Sequence, residues 1–142
     1  MTRKANYIDL GLPSGTLWKD TNEEGFYTFD EAVEKFGKSL PGITRLAELR
    51  EFCEWTWDDK KKGYKVTGKN GNSIFLPAAG CRRYNCICES GVIGYFWSST
   101  ANTSTSYNIT FAYSLFFGDS GVSMSGYDDR CNCRSVRLVK SK

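Results

Sequence analysis

The chain has 142 residues, 40% of them hydrophobic, which is enough to bury the core of one domain. Its net charge of +3 is too small to point to nucleic acid, and no apolar run reaches the length of a membrane span. It has no histidine, which removes the commonest general base and every histidine-assisted triad.

In chain order, Tyr7 to Leu12 reads as a short strand, Pro13-Ser14-Gly15 as a turn, and Thr16-Leu17-Trp18 as a second strand. Met1 to Lys4 runs into Ala5-Asn6-Tyr7 with no apolar region behind it, so no signal peptide is read there. Thr28 and Glu31 have capping-box spacing, in which each side chain satisfies a free backbone N–H, and the helix they start should stop at Gly37. Phe29, Ala32, Val33 and Phe36 fall on one helical face and are expected to be buried. Pro41-Gly42 breaks the chain. A second helix is expected from about Thr44 to Thr56, with Leu46, Leu49, Phe52 and Cys53 on its apolar side. Tyr64 to Thr67 and Ser73 to Leu76 flank Asn70-Gly71, the strongest two-residue hairpin signal.

From Ala78 the texture changes. Residues 1–69 carry 12 basic and 12 acidic side chains, whereas residues 70–142 carry 7 and 4, and between 70 and 139 there is no lysine and one glutamate, Glu89. Ser, Thr, Asn, Gly, Tyr, Cys and Arg fill this half, several of which are favoured in binding loops. Gly80 to Gly94 reads as a long irregular loop. Tyr95-Phe96-Trp97 reads as a buried strand, and Asn108 to Phe117, Val122 to Ser125 and Ser135 to Val139 as further strands. Alternation predicts that Ser114, Phe116, Ser123 and Ser125 share an exposed face, with Leu115, Phe117, Val122 and Met124 packed inward. Two early helices followed by short strands and long loops make an α+β domain spanning 1–142, with a scaffold over 1–79 and a recognition half over 80–139.

Little here supports catalysis. Asp58-Asp59 and Asp128-Asp129 are adjacent pairs, read as loop charges, and Gly11-x-x-x-Gly15 lacks the lysine of a phosphate loop. Cys53 sits on a helix face as a buried thiol. Cys86-x-Cys88 and Cys131-x-Cys133 would supply four thiolates for zinc, but Cys-x-Cys is a poor zinc spacing, and a domain this size needs no disulfide staple. Arg82-Arg83 beside Tyr84 would stack on a base or pair with a carboxylate, or lie as solvated loop arginines. Asn102-Thr103-Ser104 and Asn108-Ile109-Thr110 match the glycosylation sequon.

Tyr7 to Trp18, Gly63 to Gly68, Asn70 to Gly80, Tyr95-Phe96-Trp97-Ser98-Ser99-Thr100 and Ser135 to Val139 together resemble a paralogous family abundant in gut bacteria and their phages. That family resembles the C-type lectin fold. Members with this kind of C-terminal half look like variable proteins of diversity-generating retroelements, which rewrite adenines near the 3′ end of a gene. The resemblance implies a C-type lectin-like domain on a bacterial surface or phage particle. Its diversified positions would bind an unidentified ligand, a protein or a surface glycan, without nucleic acid or membrane insertion. Adenine replacement in AAC or AAT codons reaches Asn, Tyr, Ser, Gly, Asp, Arg, Cys, Thr, Ala, Ile, Val, Leu, Phe, His or Pro but not Lys, Glu, Gln, Met or Trp. Cys81 to Cys88 lies wholly within that menu, while Trp97, Met124 and Glu89 lie outside it. The ligand-binding positions expected are Cys81, Arg82, Arg83, Tyr84, Cys86, Ile87, Cys88, Thr103, Thr105, Tyr107, Ser114, Phe116, Ser123, Ser125, Tyr127, Asp128, Cys131 and Cys133. Trp97 is followed by Ser98-Ser99, and no Glu-Pro-Asn occurs, so the calcium chemistry of sugar-binding lectins does not carry over. An enzyme of this fold, such as a relative of the formylglycine-generating enzymes, would need a catalytic cysteine pair with copper, and the expected motifs are missing. No cofactor or metal is expected. The alternative to a diversified receptor is a lectin-fold surface or structural domain with no diversified site.

Overall fold

The computed structural model describes residues 6–83, 86–103 and 111–141, with Arg83 and Tyr127 described by backbone alone. Strands β1 (Tyr7–Asp9) and β2 (Leu17–Lys19) pair antiparallel, and the far edge of β2 takes β11 (Val139–Lys140) from the other end of the chain. The capping box forms as expected. Glu31 N–H donates to Thr28 Oγ1 at 3.2 Å, and Thr28 N–H to Glu31 Oε1 at 2.8 Å. The helix it opens, α1 (Phe29–Phe36), ends at Gly37, whose φ of 51° suits glycine. Phe29 and Ala32 are buried, but Val33 is 38% exposed, because two turns of helix bury a narrower stripe than the spacing alone suggests.

Helix α2 (Ile43–Phe52) stops four residues before the expected end. Glu54 to Asp58 instead forms strand β3, since Trp55-Thr56-Trp57 has strand-favouring side chains and pairs with β4 (Gly63–Thr67). Trp55 and Trp57 both pack edge-on against Tyr64, at 5.5 and 5.1 Å between ring centroids. Leu46 and Leu49 are buried, whereas Phe52, the last residue of α2, is 40% exposed. The hairpin to β5 (Ser73–Pro77) is present with Val66 opposite Ile74, but Thr67 pairs with Ser73, leaving a five-residue loop in place of the two-residue turn. The reason is tertiary. Asn70 and Asn72 donate their side-chain amides to the Asp9 carbonyl at 2.8 and 2.9 Å, tying the loop to β1.

The segment read as an irregular loop holds a hairpin, β6 (Cys81–Arg83) against β7 (Cys86–Cys88), with Cys81 opposite Cys88. Strands β8 (Gly94–Asn102), β9 (Phe111–Gly118) and β10 (Gly121–Asp129) form a three-stranded antiparallel sheet with β9 central. Residues 108–110, part of the expected strand, lie outside the described residues. Only the last residue of the expected closing strand, Val139, joins β11. Before it the chain threads between Tyr27 and β8, with Trp97 N–H donating to the Ser135 carbonyl at 3.1 Å and Tyr27 N–H to the Arg134 carbonyl at 2.9 Å.

Two apolar clusters result. One packs Leu10, Trp18, Leu49, Val66, Phe96 and Leu115; the other packs Phe29, Ala32, Trp97, Ala112, Val136 and Leu138. Arg137, between Val136 and Leu138, is 2% exposed and donates to Asn22 Oδ1, the Lys19 carbonyl and the Phe75 carbonyl. Burial lowers its pKa to about 10, which still leaves it charged near neutral pH. The molecule is α+β, with two helices and several small antiparallel sheets. Among the described residues, no helix is long and apolar enough to cross a membrane.

Candidate functional site

The register of β9 and β10 sorts their side chains as alternation requires. Met124 lies opposite Leu115 and Val122 opposite Phe117; all four pack on the first cluster, Leu115 and Phe117 fully buried. The other face carries Ser114, Phe116, Ser123 and Ser125. Ser123 is exposed, and Phe116 and Ser125 are half-buried. Ser114 departs from expectation at 1% exposure. It is covered from its own face, on the floor of a cavity of about 340 Å³ walled by Tyr95, Phe116, Asp128 and Arg134.

That wall is built by electrostatics. Arg134, 6% exposed, grips Asp128 with both Nε and Nη2 at 3.0 Å, and Asn132 Nδ2 adds a third donor to the same carboxylate at 3.0 Å. Burial works against the charged guanidinium, but the hydrogen bonds and charge of Asp128 outweigh it, so the Arg134 pKa is raised. Its guanidinium also lies 4.0 Å from the Tyr95 ring centroid. Tyr95 stacks on Phe116 at 6.5 Å and donates its hydroxyl to Glu89 Oε1 at 3.1 Å. Burial, then the Glu89 carboxylate, raises the Tyr95 phenol. Asp128, read from the sequence as a loop charge, is thus an interior strand residue. Asp129 is exposed and accepts the Cys131 N–H at 2.9 Å, shaping the turn after β10.

Beside the cavity lies the β6–β7 hairpin. Arg82 N–H donates to the Cys133 carbonyl at 3.3 Å, and Arg82 Nη2 lies 3.7 Å from Cys133 Sγ, so strand β6 runs beside Cys133. Of the positions expected to bind ligand, Arg82, Cys86, Ile87, Thr103, Ser123 and Cys131 are exposed, and Cys88, Phe116, Ser125 and Cys133 half-buried. Cys81, Ser114 and Asp128 lie inside, at 0%, 1% and 8% exposure, where their side chains are framework. Tyr84, Thr105 and Tyr107 lie outside the described residues, as do the side chains of Arg83 and Tyr127. Asn102 of the first sequon is 7% exposed and donates its amide to the Gly126 carbonyl at 2.6 Å, so it is not displayed for glycosylation. All six cysteines are free thiols, and among the described residues no three metal-ligating side chains converge.

Sequence reasoning missed Tyr95, Asn132 and Arg134. Tyr95 carried a signal, since alternation around buried Phe96 puts it on the outer face, and it pairs directly with Phe116. Arg134 carried none, because it comes from an irregular segment. Comparison with protein-family models, with curated proteins and with solved structures finds no match to this chain.

Proposed function

We propose that this is a ligand-recognition domain of C-type lectin-like fold whose C-terminal half presents retroelement-diversified residues on one face. The single observation that carries the reading is the pairing of Arg82 with Cys133. It brings two lysine-free segments, 81–88 and 131–133, into one patch next to the cavity. Diversified positions serve recognition only when they converge, and a partner of ordinary affinity needs roughly 800 Å² per side. Retroelement chemistry also accounts for the cysteines. On that reading Cys86, Cys88, Cys131 and Cys133, which are free thiols, need no disulfide or metal role, since cysteine codons are reachable from asparagine codons.

A second reading, a lectin-fold surface domain with a fixed site, is favoured by the buried Asp128–Arg134 pair, whose mutual dependence suits a constant pocket. The locus decides between them. Sequencing it in many isolates should find a reverse transcriptase, a near-identical template repeat, and amino-acid differences concentrated at exposed positions such as Arg82, Cys86, Ile87 and Cys131. A locus with no reverse transcriptase and no repeat, or substitutions spread evenly through residues 1–79, would leave the fixed-site reading.

A further inference from the structure

The cavity beside the patch has a chemical bias, and drawing on it rests on the recognition reading. Its charged lining groups are Asp128, Asp129 and Arg134. Arg134 directs two nitrogens at Asp128 and lays its guanidinium against Tyr95. The pair cancels internally, and the Asp129 carboxylate leaves one negative charge over in a molecule whose net charge is +3. On the floor, Ser114 Oγ is buried without any hydrogen-bond partner. A buried hydroxyl left unmet costs free energy, and such a group facing a cavity marks where a ligand atom completes it. The stacked Tyr95 and Phe116 rings supply an apolar, π-rich wall. The cavity, about 340 Å³, sits at the lower end of the roughly 300–1,000 Å³ typical of ligand sites. It has room for one side chain and opens to solvent, so the rest of a partner can lie outside it.

We propose that this cavity receives the cationic head of a lysine or arginine side chain from a protein partner. The alkyl stem lies along Phe116, the N–H groups reach Ser114 Oγ, and the charge is met by Asp129. Both hydrogen-bonding roles fit, because an ammonium or guanidinium only donates and the carboxylate and the hydroxyl oxygen accept.

The test is titration of the isotope-labelled protein, followed by amide shifts at Ser114, Phe116 and Asn132. The probes are N-acetyl-lysine and N-acetyl-arginine methylamides. Controls are the norleucine and citrulline counterparts, which keep the shape and lose the charge, the glutamate counterpart, and mannose. The two cationic probes should shift these amides, with affinity falling as salt rises. Asp129→Asn keeps the acceptor for Cys131 N–H and should weaken both by about tenfold, the scale of one charge-assisted hydrogen bond. Ser114→Ala should weaken them too while leaving the melting temperature unchanged or higher, since its hydroxyl bonds nothing. Equal binding of norleucine or citrulline, or an unchanged affinity in Asp129→Asn, overturns the cation assignment. Binding of mannose or the glutamate probe to the same amides overturns it as well but leaves the recognition face standing. Silence from every probe also overturns the cation assignment, and the locus comparison then judges the recognition reading separately.

Discussion

Trp97 and Asp128 are buried in the same half of the chain and should answer differently to truncation. Trp97 donates its indole N–H to the Tyr27 carbonyl at 2.7 Å and meets Phe29 edge-on at 5.7 Å. Trp97→Ala removes a large apolar volume and should cost about 3–5 kcal/mol, measured by denaturant unfolding. Asp128→Ala removes little volume but strands the Arg134 guanidinium, so its cost should also be about 3–5 kcal/mol. The discriminating variant is Asp128→Ala combined with Arg134→Met. It should recover much of the Asp128 loss, and a double variant as unstable as the single one would show that the pair is not the cause. Cys53 gives a pH-dependent test. Burial, then the Glu48 carboxylate, pushes its thiol up to about 11, so at pH 8 only about one molecule in a thousand carries the thiolate. Alkylation at pH 8 should label exposed Cys86 and Cys131 first and half-buried Cys53 well after them, with the Cys53 rate still climbing tenfold per pH unit toward pH 10, while fully buried Cys81 stays unlabelled. Rapid labelling of Cys53 at pH 8 would contradict the burial. The sequence placed that thiol on a helix face and buried, whereas it lies one residue past the end of α2 in extended backbone and is half-buried, because the chain turns there into β3. The Asp128–Arg134 pair was not legible, because nothing in the spacing of two charges six residues apart says that both turn inward.

At the scale of elements, local signals were legible and long-range ones were not. The Thr28–Glu31 capping box and the strand flanking Asn70-Gly71 involve neighbours in sequence, and both elements are present. Helix α2 was overextended because the helical spacing of Leu46, Leu49, Phe52 and Cys53 was carried on into Trp55 and Trp57, whose two-residue alternation suits the strand that β4 pairs. The β6–β7 hairpin escaped notice because three-residue strands are too short to show alternation, and its outer partner, Cys133, lies 45 residues after Cys88. Gly80 is the position where this element is most constrained. Its φ is +77°, and an added Cβ would overlap the Cys88 carbonyl oxygen. Gly80→Ala should therefore cost on the order of 2 kcal/mol or more. Hydrogen exchange should show the loss first in the 81–88 amides. Protection there equal to the parent would show that the hairpin does not depend on the glycine.

For the whole molecule, the proposed rewriting of a recognition face requires stability to reside in places the rewriting does not reach. Simultaneous substitution of Arg82, Cys86, Ile87 and Cys131 by other small or aromatic residues should barely move the melting temperature, since each is exposed and surface changes usually stay within about 0.5 kcal/mol. A variant that unfolds like Trp97→Ala would make those residues structural. The composition of this half was legible from its missing lysines; the cavity was not, because its walls come from β8, β9, β10 and the turn after them. One further consequence lies in β2. Its outer edge pairs with Val139, and Lys19 and Asn22 wait for Arg137, so the first strands are completed by the last. At about 5–20 residues per second of synthesis, Trp18 precedes Val139 by on the order of ten seconds. Throughout that interval the nascent chain has an open strand edge and an unfilled polar slot. The domain therefore cannot close until Val139 has been made, and residues 1–79 cannot finish folding without the half that follows them.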